Sequence, residues 1–359
     1  MKTPNNNYDG KPTVYLDYNI LDLFVKTRDL PFASELKEKY QIIYSDETLK
    51  EIKRTGDNGS QFLEALEALE ALEALEALEA LESLEAMHLR IFVTESFKVT
   101  DRAILKKLNP FDAFEDYCKN IEPIYETMEK ATAQSLLKFY GGRAGSDFEE
   151  INREQIDSFG GLMSYISDRV DEVKDLVPGV DAAVSAYTKE MQKSFNEALA
   201  QSTVELRKHI EDELNYSGVQ TYRNHMKVGP VQLNNIEPPN VIEKIWSIYK
   251  TLDGYRENNF SIEQFLGLSQ NPTYNREMYL HEKVTSVYNV LNVIGYYPDF
   301  KMKHDRRFTA AMSDAGHAAI ASFSDFLFSR DAAFIHKTRA AYEYLNVKTQ
   351  VIEVIVNDV

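Results

Sequence analysis

The sequence predicts an α/β protein in which one central, mostly parallel sheet is assembled from both chain ends, with a large all-α insertion between them. Three observations carry this expectation. Short apolar runs alternate with helical segments over residues 11 to 55 and again over residues 300 to 359, the pattern of a parallel sheet. Four acids, Asp17, Glu51, Asp314 and Asp331, stand at the ends of apolar runs or on the adjoining helices in those two regions. The stretch between them reads almost wholly as helix.

The elements follow in order. Thr13 to Leu16 is a β-rich apolar run that delivers Asp17 to its carboxyl end, the edge at which open α/β sheets bind ligands. Ile20 to Thr27 reads as a helix, Tyr40 to Tyr44 as the second strand, and Ser45 or Asp46 caps a helix carrying Glu51. Gly56-Asp57-Asn58-Gly59-Ser60 breaks the pattern.

From Leu63 to Ala86 the chain repeats Leu-Glu-Ala in eight consecutive units, one of them reading Leu-Glu-Ser. Every residue type in it favours helix, and 24 such residues span about 36 Å. Three residues advance about 300° around a helix, so the leucines circle the axis instead of lining a seam. A two-stranded coiled coil is therefore disfavoured, and the run reads as a spacer helix packed over part of its girth. Its period also suits a repeat whose copy number changes without a frameshift, altering helix length and so activity.

Leu89 to Val93 reads as a further strand. Asp181 to Asn215 places Val184, Tyr187, Met191, Phe195, Leu199, Leu206, Ile210 and Leu214 on one helical stripe, a core or partner face through which copies could associate. Val228 to Asn240 is a Pro-rich connector, and the next helix carries Trp246 and Tyr249 on its apolar face. Residues 276 to 294 form a helix with Leu280, Val284, Val287, Leu291 and Ile294 inward, stopped by Gly295. Asp314 opens a small-residue helix, Ala315 to Phe323; Asp325 to Ser329 is a strand, followed by Asp331. A helix through Tyr344 and a strand over Thr349 to Val356 complete the chain. The domain plan is thus residues 11–60 and 88–100 for the N-terminal part of the core, 61–87 for the repeat helix, 101–299 for the helical insertion and 300–359 for the C-terminal part.

Bulk properties narrow the function classes. A net charge of −17, from 57 acids against 40 bases, argues against gripping nucleic acid through the field of the whole molecule, so such binding needs a local basic patch or a partner. One cysteine, Cys118, excludes an intramolecular disulfide framework and a cysteine-rich zinc site. No apolar run approaches the roughly 18 residues of a membrane span, and the polar start Met1-Lys2-Thr3-Pro4-Asn5 is no signal peptide, so a cytoplasmic location without a membrane partner is expected. His281-Glu282 has no second histidine at zinc-protease spacing, and neither a Walker loop nor a G-x-S-x-G elbow occurs.

If the four acids meet, their chemistry is that of a metal-dependent nuclease. Phosphodiester hydrolysis uses a hard divalent cation to activate water and neutralise developing charge, and Mg²⁺ or Mn²⁺ prefers carboxylate oxygens. Lys301, Lys303, Arg306 and Arg307 before Asp314, with Arg330, Lys337 and Arg339 around Asp331, offer a basic rim for a phosphate backbone. Asp22 and Asp325 read as structural. His317, three residues after Asp314 on the same helix face, reads either as a group near phosphate or metal or as a hydrogen-bonded helix contact.

Leu16-Asp17-Tyr18-Asn19-Ile20-Leu21, the helix from Ser45 to Ile52 with Glu51, Ser313-Asp314-Ala315-Gly316-His317, and Asp325 to Asp331 together resemble a PIN-like nuclease domain. The resemblance implies a PIN-like three-layer core and a Mg²⁺- or Mn²⁺-dependent endonuclease, RNA favoured over DNA. It further implies a regulated toxin or anti-phage defence effector held by an immunity or sensor protein. By that carry-over Asp17, Glu51, Asp314 and Asp331 hold the metal, while Asn19 and Ser329 brace it or touch phosphate. The helical insertion departs from small toxin ribonucleases and leaves substrate choice open. A DNA-cleaving nuclease of the same fold, or a non-catalytic scaffold, are the alternatives.

Overall fold

A computed structural model describes residues 10–27, 30–56, 64–94, 99–171, 179–271 and 276–355. The chain runs β1 (Thr13–Leu16), α1 (Tyr18–Thr27), α2 (Leu30–Lys39), β2 (Gln41–Tyr44), α3 (Asp46–Gly56), α4 (Glu64–Ser83), β3 (Met87–Val93), β4 (Val99–Lys106) and α5 (Pro110–Asp116). A π-helical turn, Tyr117–Ile121, leads into α6 (Glu122–Phe139), α7 (Phe148–Asp171), α8 (Val180–Arg207), α9 (Gly218–Met226), α10 (Pro230–Leu233), α11 (Val241–Tyr249) and α12 (Ile262–Phe265). The short ribbon β5 (Gln270–Asn271) and β6 (Arg276–Glu277) precedes α13 (Leu280–Ile294), α14 (Asp305–Ala321), β7 (Phe326–Ser329), α15 (Ala332–Leu345) and β8 (Gln350–Glu353).

The chain divides into two compact units, one holding residues 1–117, 226–299 and 310–359, the other 118–225 and 300–309. The first contains a mixed six-stranded sheet in the order β4-β3-β2-β1-β7-β8. β1 pairs in parallel with β2 on one side and β7 on the other, so Val14 sits between Ile42 and Phe326. The expectation of one sheet made from both chain ends therefore holds. β4 runs antiparallel to β3 at the edge. The strands β1, β2 and β7 are apolar runs buried almost throughout, as strands covered on both faces must be. Tyr15, Ile43, Met87, Leu89 and Leu327 join Val284, Tyr288, Ala315, Ala318, Phe334 and Ile335 in the main core. Asp325 fixes the β1–β7 register from the amino end: its Oδ2 accepts from Thr13 N at 2.7 Å and Thr13 Oγ1 at 2.9 Å. It is structural, as expected.

In the repeat helix, Ala77, Leu78, Leu81 and Leu84 are buried, while Leu75 is exposed. Among the described residues, the winding leucines supply a packed face where α4 meets α1, α3 and α5. The first unit's Leu63 lies outside the described residues.

Several boundaries differ from the sequence expectation. Residues 99–106 form strand β4, not the start of a helical insertion, because Ala103 and Leu105 pack on the core while Arg102 and Lys106 face water. Residues 226–299 belong with the sheet, since α13 lays Val284 and Tyr288 into its core, so the all-α unit is shorter than 101–299. Helical periodicity shows that a segment is helix; it does not show which layer receives it. Asp314 lies within α14 and does not open it, because Phe308 and Ala311 extend the buried stripe of Ala315 and Ala318 back by two turns. Arg276 and Glu277 are in a ribbon, and α13 starts at Leu280 and stops at Gly295, whose φ of 95° suits glycine.

In the second unit, α6 packs on α7 and α7 on α8, with Leu137, Phe148, Ile151 and Leu162 buried and Phe159 stacked on Phe195 at 4.1 Å. The expected α8 stripe is rotated: Thr188 and Thr203 are its buried residues, whereas Tyr187 is exposed, and Leu214 lies exposed beyond the end of the helix. Asn152 Nδ2 donates to Thr203 Oγ1 at 2.7 Å, which explains why a threonine faces inward there. No helix among the described residues is long and apolar enough to cross a membrane.

Candidate functional site

Asp17 leaves β1 still held in the sheet, its backbone N donating to Phe328 O at 3.0 Å. That bond sets it beside Ser329 at the end of β7. Ser329 Oγ and Asn19 Nδ2 both donate to Asp17 Oδ2, at 2.5 and 2.6 Å. Ser329 Oγ accepts from Asp331 N at 3.0 Å, and Arg330 N donates to Asn19 Oδ1 at 3.0 Å. Asp331 caps α15, its Oδ1 accepting from Phe334 N at 2.9 Å. Residues about 310 positions apart are thereby tied into one edge, and Asn19 and Ser329 act as braces.

A second group comes from α3 and α14. Glu51 meets His317 Nε2 through Oε2 at 3.0 Å and Arg54 through Oε1 at 2.9 Å. His317 is wholly buried, with Nδ1 2.6 Å from the Tyr15 hydroxyl, which in turn lies 2.7 Å from Ser45 Oγ. The helices approach closely because residue 316 is glycine: a Cβ there would lie 2.8 Å from Glu47 Cδ. Ser313 Oγ donates to Glu47 Oε2 at 3.1 Å at the same crossing. Asp314 is half-buried, and no hydrogen bond or ion pair engages it among the described residues.

Electrostatics join the two groups. Burial pushes Asp17 up to about 6; His317 opposes this, while Glu51 and Asp331 add to it. Burial likewise holds Asp314 well above the usual carboxylate range, reinforced by Asp299, Asp17 and Glu51. For Glu51, burial acts upward, but His317, Arg54 and Lys50 together outweigh it and hold the carboxyl below its ordinary value. For His317, burial acts downward, yet Tyr15, Glu51 and Asp17 raise it well above 6.5. His317 is thus a buried imidazolium among acids.

No family model matches this chain, and neither a curated protein nor a solved structure matches it.

Hydrogen bonds thus bring Asp17, Asn19, Ser329 and Asp331 together and an ion pair joins Glu51 to His317, whereas Asp314 makes no such contact among the described residues. The basic rim is not as expected. Lys337 is fully buried and donates to Asn292 Oδ1 at 3.0 Å and to Asp299, and Arg339 donates to Val351 O at 2.9 Å. α15 turns Lys337 into the core, whereas exposed Arg339 spends its guanidinium on the Val351 carbonyl. Arg330 is exposed beside Asp331, whereas Arg306 and Arg307 are exposed residues of the second unit. Tyr15, Tyr288, Asn292 and Asp299 were missed; an apolar run hides the tyrosines, and Asp299 follows proline in what reads as a loop.

Whether these residues suit a divalent ion is decided by their free oxygens. Asp17 Oδ1, Asp331 Oδ2 and both oxygens of Asp314 are uncommitted among the described residues, while Glu51 Oε1 accepts from Arg54 and Oε2 makes only a charge contact with His317, without a hydrogen bond. Free carboxylate oxygens such as those of Asp17, Asp314 and Asp331 are the donor type a hard cation prefers. The side chains as placed do not form a ready chelate: no group of three or more His, Cys, Asp or Glu among the described residues is so arranged.

Proposed function

We propose that the protein is a metal-dependent endonuclease with a PIN-like centre, RNA favoured over DNA, in which Asp17, Asp314 and Asp331 hold Mg²⁺ or Mn²⁺. What supports this reading is the pair Asp17 and Asp331, linked through Ser329 at the carboxyl edge of β1 and β7 and each keeping an oxygen without a hydrogen bond among the described residues, with Asp314 raised in part by the charge of Asp17. A bound ion supplies activation of the attacking water and neutralisation of the phosphorane. Asn19 and Ser329 orient Asp17, and the backbone of Asp331 is held by Ser329. His317 and Arg54 hold Glu51, so Glu51 acts as the buried partner that keeps the imidazolium beside the aspartates. Exposed Arg330 is placed to meet a phosphate, although a net charge of −17 leaves substrate capture to local contacts or a partner. An uncontrolled cytoplasmic ribonuclease is toxic, so the same reading includes a controlling immunity or sensor protein and a role in anti-phage defence.

Incubation of the purified chain with Mn²⁺ and mixed RNA or single-stranded DNA tests it. Cleavage abolished in both Asp17→Asn and Asp314→Asn is the expected result. A folded wild-type protein that cuts neither substrate overturns it. One observation favours a non-catalytic scaffold instead: no group of three or more His, Cys, Asp or Glu among the described residues is preassembled around an ion.

A further inference from the structure

At one end of the six-stranded sheet β8 is the outermost strand among the described residues, bonded to β7 alone. Gln350 N donates to Asp325 O and Val354 N to Ser329 O, each at 2.9 Å, so these residues spend their backbone groups on β7. In a parallel ladder alternate residues face opposite ways, and Val351 and Glu353 therefore turn their N–H and C=O groups outward. Arg339 shows the direction for one of them: its Nε and Nη2 both donate to Val351 O, at 3.2 and 2.9 Å. The exposed guanidinium thus guards the edge where an incoming strand would bond.

The groups on such an edge are complementary to another strand, and β8 is complementary to itself. Ile352 and Ile355 are 36% and 75% exposed, apolar surface of a kind that native sheet edges ordinarily avoid. Antiparallel pairing of two β8 strands must match outward residues with outward residues, and centring it on Ile352 does so. Ile352 then lies across from Ile352 of the second copy, on the face it shares with Phe328, and Gln350 lies across from Val354. On the opposite face Val351, packed with Phe334 and Ile335 of α15, lies across from Glu353. Glu353 is exposed and makes no side-chain hydrogen bond or ion pair among the described residues. In this register its carboxylate arrives beside Arg339 of the second copy, and the two-fold axis repeats the pair.

We propose that the open edge of β8 is the seam of a homodimer, two copies joining antiparallel about Ile352 while each Arg339 leaves the Val351 carbonyl for Glu353 of the other copy. The vacated carbonyl accepts from the incoming Glu353 N–H, and the guanidinium exchanges a neutral acceptor for a charged one. The inference does not depend on the nuclease reading.

Sedimentation equilibrium of the full chain tests it, in a series reaching about 0.5 mM because so short a seam makes a weak dimer. Wild type is expected to dimerise. Arg339→Glu and Glu353→Arg each set like charges together at both symmetric positions and are expected to raise the dimer Kd about tenfold. An equimolar mixture of the two variants pairs opposite charges at both positions and is expected to dimerise within about threefold of wild type. Damage to the fold cannot produce that rescue. Hydrogen exchange locates the seam: the Val351 and Glu353 amides are expected to slow as the dimer forms, while those of Gln350 and Val354, already bonded to β7, change little. A wild type that stays monomeric throughout, a dimer indifferent to both variants, or a mixture no tighter than its components overturns the proposal.

Discussion

Asp17→Asn should make the metal-free protein more stable at neutral pH, and the structure sets the size of the effect. The side chain is 7% exposed, and burial pushes its carboxyl from 3.8 to about 6. At 1.36 kcal/mol per pH unit, ionising it in the folded state costs about 3 kcal/mol relative to the unfolded chain. The sign follows from proton uptake: a folded-state pKa above the unfolded one means that the native state binds the extra proton between pH 3.8 and about 6. The penalty is therefore absent below 3.8, grows across that window and is complete above about 6. Asparagine presents an uncharged oxygen to Ser329 Oγ and Asn19 Nδ2, forfeiting about 1 kcal/mol of charge-assisted bonding. The net gain above pH 7 is about 2 kcal/mol, or a few degrees in Tm for a chain of this size. Denaturant and thermal unfolding of both proteins in chelator, from pH 4 to 8, measure it. A variant no more stable than wild type at pH 7.5, or an advantage that persists unchanged to pH 4, refutes the reasoning. Adding Mn²⁺ should reverse the order, because a ligand that binds only the wild-type native state stabilises only that state.

Further outcomes follow from the same geometry. His317→Gln removes the buried cation that faces Glu51, leaving only Arg54 beside it, and should destabilise by about 3 kcal/mol near neutral pH, read from urea midpoints. That loss should shrink in acid, since Glu51 is held low and its stabilising charge disappears as pH falls through its folded-state value. Gly316→Ala brings a methyl within 2.8 Å of Glu47 Cδ and should cost about 1–3 kcal/mol, with a smaller cost when paired with Glu47→Ala. Leu81→Ala removes a buried leucine from the repeat helix and should cost about 2–5 kcal/mol, whereas Leu75→Ala, on an exposed leucine of the same repeat, should change the urea midpoint little.

How far residues alone reveal such a site is shown by contrasting particular positions. Asp17 and Asp331 were legible because each ends an apolar run whose β character is local, and the braces Asn19 and Ser329 lie within two residues of them. Asp314 was legible as an acid among small residues but was misplaced on its helix, because Arg306 and Arg307 mask the continuing stripe through Phe308. Lys337 looked like a basic rim residue, yet on α15 it points inward to Asp299 and Asn292. Charge in a sequence carries no direction. Strand β4 was missed for a related reason: its partly polar run becomes a strand only when β3 offers it a ladder.

The sequence by itself determined the local matters: that the buried strands β1, β2 and β7 are strands, that the leucines of the repeat wind around the helix, and that Asp17 and Asp331 follow strand ends. These depend on periodicities of two to four residues along the chain. Only the tertiary structure decided which charges neutralise which, pairing Glu51 with His317 and Asp299 with Lys337 and leaving three aspartates with free oxygens. Those pairings join residues up to 266 positions apart, and Coulomb energy depends on distance and burial, which no order of residues states.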